Sequence, residues 1–143
     1  DSGLIATYAQ GLSAVKADSE SERLLRSSLD KNWDETLLRL YGLVEGKDIA
    51  KQLLSAEAWL KERPGNALLM LTLGRLSMRN QLWGRAREYF QSSLQLQKDP
   101  NAYAELARLL AHLGEHEKST EYYQQGLLMS APDLQDLPLP AQH

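Results

Sequence analysis

Cysteine is absent from the 143 residues. That excludes disulfides, thiolate metal sites and cysteine nucleophiles. Aromatic residues make up only 7% of the chain, with a single phenylalanine. So few leave little for a β-sandwich core, and the plentiful leucine favours helices. Charge of one sign is also scarce: 16 Lys and Arg stand against 19 Asp and Glu, a net −3. A chain so balanced has no overall attraction for nucleic acid. No uncharged stretch reaches the roughly 20 apolar residues of a membrane helix; the apolar run Pro64–Gly74 falls well short. No H-E-x-x-H, G-x-S-x-G or Walker loop occurs. The Gly-Arg pairs at 74–75 and 84–85 follow no predicted strand, so they are not phosphate loops. Without an assembled acid–base or nucleophile set, the chain reads as a non-enzyme.

What is present is a repeat. Met70-x2-Leu73-Gly74 aligns with Tyr103-x2-Leu106-Ala107, Ala86-x3-Phe90 with Ser119-x3-Tyr123, and Leu94 with Leu127. One constant offset, that from 70 to 103, relates every pair. Small residues belong where two helices cross closely, and large ones fill the space beside them. The period and the small–large offsets are those of a tetratricopeptide repeat. Weaker copies precede it: Ala50-x3-Leu54 with Ala58 and Pro64, and before that Ser21-x3-Leu25 with Leu29. Four helix pairs are therefore expected, at 3–15 and 19–30, 33–44 and 48–62, 66–79 and 82–97, and 101–113 and 115–129. Pro64-Gly65-Asn66 and Lys98-Asp99-Pro100-Asn101 break the chain between pairs, and Gly46 and Gly114 turn it within pairs. Ser19 with Glu22 reads as a capping start. The expected architecture is an all-α, right-handed α-solenoid of about four tetratricopeptide-like pairs, one domain over 1–132. Residues 133–143, with two prolines, form a mobile tail or an extended segment lying on the last helix, helping to cover Leu127 and Leu128.

Charge is uneven along this repeat. Residues 66–99 carry five basic and two acidic side chains, whereas both flanking segments are net acidic. In a helical-pair solenoid the first helix of each pair lines the concave groove. That places Leu68, Leu71, Arg75, Met78 and Arg79, then Asn101, Ala104, Arg108, Ala111 and His112, on the groove face. Arg75 and Arg108 share one repeat position, and Arg39 is a further candidate. An arginine fork holds a carboxylate at two points, so an anion-receiving groove is expected. Arg85 and Arg87 fall on a second helix and are expected to face outward. Trp33, Trp59 and Trp83 read as repeat-packing residues. His112-x3-His116 has metal-ligand spacing, but Gly114 interrupts the helix between them, and His143 lies far along the chain. No metal site is expected.

The run LGRLSMRNQLWGRAREYF, followed by SSLQLQKDPNAYAELARLLAHLGE, resembles the C-terminal region of the HemY-type tetratricopeptide proteins of proteobacteria. KNWDETLLRLYGL and AEAWLKERPGN resemble that family in the same order. The resemblance covers nearly the whole chain except the tail. It implies an N-terminal membrane anchor outside this sequence, an inner-membrane location with the repeats on the cytoplasmic side, and an association with late haem or porphyrin biosynthesis. It carries no catalytic residue and no resident cofactor. The expected function is a scaffold that holds a protein partner, a haem-pathway enzyme, in its groove. The alternatives are a haem or porphyrin carrier, with Arg75, Arg79 or Arg108 on the propionates and His112 toward the iron, and a generic peptide-binding module. Nucleic acid is not an expected partner; self-association through the end helices is.

Overall fold

The computed structural model describes residues 2–14 and 18–141, with side chains described at 2–9 and 18–141. Val15, expected to end the first helix, and His143 lie outside the described residues. Within them all regular structure is helical: α1 (Ser2–Ala14), α2 (Asp18–Lys31), α3 (Glu35–Tyr41), α4 (Ile49–Trp59), α5 (Ala67–Arg79), α6 (Trp83–Leu96), α7 (Pro100–His112) and α8 (His116–Ser130). No strand occurs among the described residues. The chain divides into two compact units, Asp1–Lys98 and Asp99–His143.

Helix starts are set by short polar side chains. Asp34, Asp48 and Asn66 each take extended backbone and accept a bond from the amide three residues on, at 3.0–3.1 Å. Asp99 does the same for Asn101, with Pro100 in the first turn of α7. Each such cap satisfies an orphan amide and contributes about 1 kcal/mol. Ser19 is not a cap. It lies inside α2, and Glu22 is buried and bonded to residues outside the first turn.

The pairs α1–α2, α5–α6 and α7–α8 pack closely, each crossing at small residues. Ser21 Oγ donates to the Ala9 carbonyl (2.9 Å), and Ser119 Oγ donates to the Ala107 carbonyl (2.6 Å). In the third pair the same position is filled by Ala86, fully buried, beside Gly74, whose α-hydrogen faces the Phe90 ring. Within the first unit a core runs from Leu25 and Leu29 through Leu37, Leu38 and Tyr41 to Leu53, Ala56, Trp59, Leu69, Leu73 and Leu76. Within the second, Ala102, Tyr103, Leu106, Ala107, Leu109 and Leu110 are buried on α7. There Gly126 admits the Tyr103 side chain, whose Cβ would lie 3.1 Å from any added methyl.

The second pair differs from the expected register. Ala50 and Leu54 are exposed, and the buried residues of α4 are Gln52, Leu53, Ala56 and Trp59. A glutamine thus occupies the position held elsewhere by Ser21, Ala86 and Ser119. Its bulk fits a pair in which α3 is short and lacks close backbone packing against α4. The Gln52 amide replaces that packing with hydrogen bonds. Its Nε2 donates to the carbonyls of Tyr41 (3.2 Å) and Val44 (3.0 Å), and its Oε1 accepts from the Gly46 amide (2.9 Å). The tail also departs from expectation. Leu127, Leu128, Leu134, Leu137 and Leu139 all remain exposed, so the tail does not cover α8.

Candidate binding surface

The expected groove residues fall on two helices, α5 in the first unit and α7 in the second. On α5, Leu68, Arg75 and Met78 are half-buried. Leu68 lines an open depression of about 650 Å³ with Trp33, Arg63, Asn66 and Gln97. Leu71 is only 1% exposed and cannot meet a ligand. The five-residue face expected on α5 is too wide, because buried Leu69, Leu73 and Leu76 bring the core around to it. Arg79 is also largely committed within the fold. Its Nη1 donates to the carbonyls of Gly42 and Val44, both at 2.9 Å. Those carbonyls lie at and just beyond the end of α3, where no following helical turn supplies amides to donate to them. Arg79 is therefore a structural clamp.

The α7 residues lie at the surface. Asn101, Ala104, Arg108 and His112 are exposed along one face and Ala111 is half-buried, while the opposite face is core. Arg108 pairs with Glu105 at 2.5 Å through a side chain that is 63% exposed. Exposed pairs of this kind contribute little and exchange readily with a competing carboxylate. His112 Nδ1 lies 2.9 Å from the Arg108 carbonyl. A carbonyl only accepts, so a bond here has Nδ1 as its donor, and in the neutral ring that leaves Nε2 as the acceptor. His116 begins α8 beyond a turn at Gly114 (φ +83°). Among the described residues, no group of three His, Asp or Glu side chains is arranged to hold a metal.

The tryptophans divide. Trp59 packs edge-on against Trp33 (5.6 Å between centroids) and Tyr41 (5.1 Å), and its indole donates to Asp30 at 2.8 Å. Arg63 lies over the Trp33 ring at 3.8 Å. Trp83 is 43% exposed beside the 38% exposed Leu82, so it is not a packing residue. Arg85 is half-exposed as expected, 3.6 Å from Glu57.

One polar cluster had no sequence signal. Glu22, 8% exposed, accepts from the Tyr41 hydroxyl (2.6 Å) and pairs with Arg26 (3.0 Å) four residues along α2. Burial, then the bond to Glu22, pushes the Tyr41 phenol well above its ordinary pKa. Burial and a bond to Glu57 raise Tyr89 in the same way. Glu22 and Tyr41 stand on different helices, at a separation that belongs to no helical period, so the pair could not be read from the chain.

No family model matches the chain, and no curated protein does. Solved structures do. A fragment of MamA (41-end) from Desulfovibrio magneticus RS-1 superposes with a TM-score of 0.67 at 15% identity, covering 96% of this chain and 78% of that one. An RS-1 MamA double mutant gives 0.67 at 14%, covering 93% and 77%. An MSR-1 MamA structure gives 0.63 at 14%, covering 94% and 79%. At such identities the likeness is one of fold. The chain has a tetratricopeptide-like α-solenoid fold.

Proposed function

We propose that this chain is a non-catalytic repeat scaffold that binds a protein partner. The observation that carries the reading is the division of labour on α7. One face is core, and the other presents Asn101, Ala104, Arg108 and His112 to solvent with no role in packing. A tetratricopeptide-like fold supports the same reading, since such repeats offer their first helices as docking faces. On α7, Arg108 would receive an acidic side chain of the partner. On α5, Arg75 would do the same within its own unit, with Leu68 and Met78 supplying apolar contact. The resemblance to HemY-type proteins supports an enzyme of late haem or porphyrin biosynthesis as the partner. It also supports repeats on the cytoplasmic side of the inner membrane, held there by an anchor outside this sequence. No helix among the described residues is long and apolar enough to cross a membrane itself.

Arg108→Ala is expected to weaken partner binding about tenfold. It should leave thermal unfolding unchanged, because its ion pair is exposed. Unaltered binding would remove α7 from the interface.

A second reading is favoured by one feature. With Nδ1 donating to the Arg108 carbonyl, a neutral His112 would present Nε2 one turn from Arg108, a ligand and a propionate partner on the same exposed face. An absorbance titration with haem and metal-free porphyrin separates the two. A saturable, stoichiometric shift lost in His112→Ala would make the protein a carrier. A weak, non-saturating change that is the same in His112→Ala leaves the scaffold.

A further inference from the structure

The cluster around Glu22 opens onto a second feature, remote in sequence from α7. A cavity of about 170 Å³ lies between α2 and the start of α4. Its wall carries four cations, Arg23 and Arg26 from α2 and Lys47 and Lys51 from the loop and first turn of α4, with the hydroxyls of Ser19 and Ser55. Only two acids line it, Glu22 and Asp48, and both are already used. Glu22 is bonded to Tyr41 and Arg26, and Asp48 caps α4 through the Lys51 amide. Arg23, Lys47 and Lys51 have no ion-pair partner among the described residues.

Like charges gathered at a cavity repel one another and cost stability unless something answers them. Here one of the four, Arg26, is held in place. Glu22 grips Arg26 through two contacts, Nε at 3.0 Å and Nη2 at 3.3 Å, which fixes the guanidinium at the cavity edge. Gln52, 2% exposed, closes the floor with every polar atom bonded to backbone. Gly46 is required for this packing, because a methyl there would lie 2.7 Å from Glu22 Cγ.

We infer that this cavity binds a phosphate group. Four cations against two acids leave the lining with two positive charges in excess, matching a phosphate monoester dianion. The donors come from two stretches of chain, 19–26 and 47–55, and include two hydroxyls, which suits a tetrahedral oxyanion better than a flat carboxylate. The volume is ample for a phosphate group. The group arrives either on a small soluble phosphate or on a lipid headgroup, and the test separates these sources.

Inorganic phosphate is titrated into the protein at constant, low ionic strength, followed by amide NMR shifts. In parallel, the protein is sedimented with vesicles containing phosphatidic acid and with vesicles of phosphatidylcholine alone. Each arm is repeated with Lys47→Gln/Lys51→Gln, both exposed residues whose side chains make no bond among the described residues. Saturable shifts at Gly46, Lys51 and Arg26, weakened about tenfold or more in the double variant, establish the site for a soluble phosphate. Sedimentation with phosphatidic acid alone, lost in the double variant, establishes it for a headgroup. Absence of both, or binding that the double variant leaves intact, overturns the inference.

Discussion

Gly74 and Phe90 show how a single missing side chain sets a helix crossing. A methyl at residue 74 would overlap the Phe90 ring, with Cζ at 2.9 Å and the nearer ring carbons closer still. Phe90 is fully buried and has nowhere to go. Gly74→Ala gains about 1 kcal/mol of helix propensity but meets overpacking of about 1–3 kcal/mol. A net loss of stability is expected in urea unfolding, and Phe90→Leu in the same chain should recover part of it. Tyr41 gives a prediction in pH. Its folded pKa is raised, so the stability it contributes is complete below the unfolded value near 10 and is lost as pH rises toward the folded value. Tyr89 acts in the same direction. The contribution of these two tyrosines to the urea midpoint should be constant below about pH 10 and fall above it. Tyr41→Phe should make that fall shallower and cost about 1–2 kcal/mol at neutral pH by removing a bond to a buried carboxylate. The small residues of the crossings were legible in the chain because they recur at fixed offsets. Glu22, Gln52 and Arg79 were not, because each meets its partners through the fold at separations that no period marks.

At the scale of elements, the turns inside the last two pairs share one backbone shape. Gln81 takes φ +59°, and Gly114, at the equivalent position of the next repeat, takes φ +83°. Both sit one residue before an amide that reaches back five residues, Leu82 to the Ser77 carbonyl (3.0 Å) and Glu115 to the Leu110 carbonyl (2.9 Å). Left-handed backbone suits glycine and strains glutamine by about 1 kcal/mol. Gln81→Gly is therefore expected to raise stability by about 0.5–1 kcal/mol, and Gly114→Gln to lower it by a similar amount, read from thermal unfolding. Helix boundaries elsewhere followed from visible caps and breakers, notably Asp99-Pro100 and Asn66. The second pair departs from its expected register for a physical reason. A small residue at each crossing is the rule of the repeat, and Ala50 fits that rule. The chain instead uses Gln52 two residues on, exchanging close helix contact for three hydrogen bonds to a loop.

For the whole molecule, the constant repeat offset announced a helical-pair fold, and the MamA structures share that fold despite identities of 14–15%. Packing rules constrain a few small and apolar positions per repeat and leave the rest free, so fold survives where sequence does not. Surface exposure was legible on α7 and only partly so on α5. On α7 the expected surface residues are exposed, whereas on α5 Leu71 and Arg79 serve the protein itself. The most direct test of the scaffold is a photo-crosslinking amino acid placed at position 104, on the open face of α7, with position 54 on α4 as the exposed control. In cells of the source organism, position 104 should trap one protein that position 54 does not, and Arg108→Ala should reduce the yield. Equal trapping at both positions, or none at 104, would contradict the scaffold.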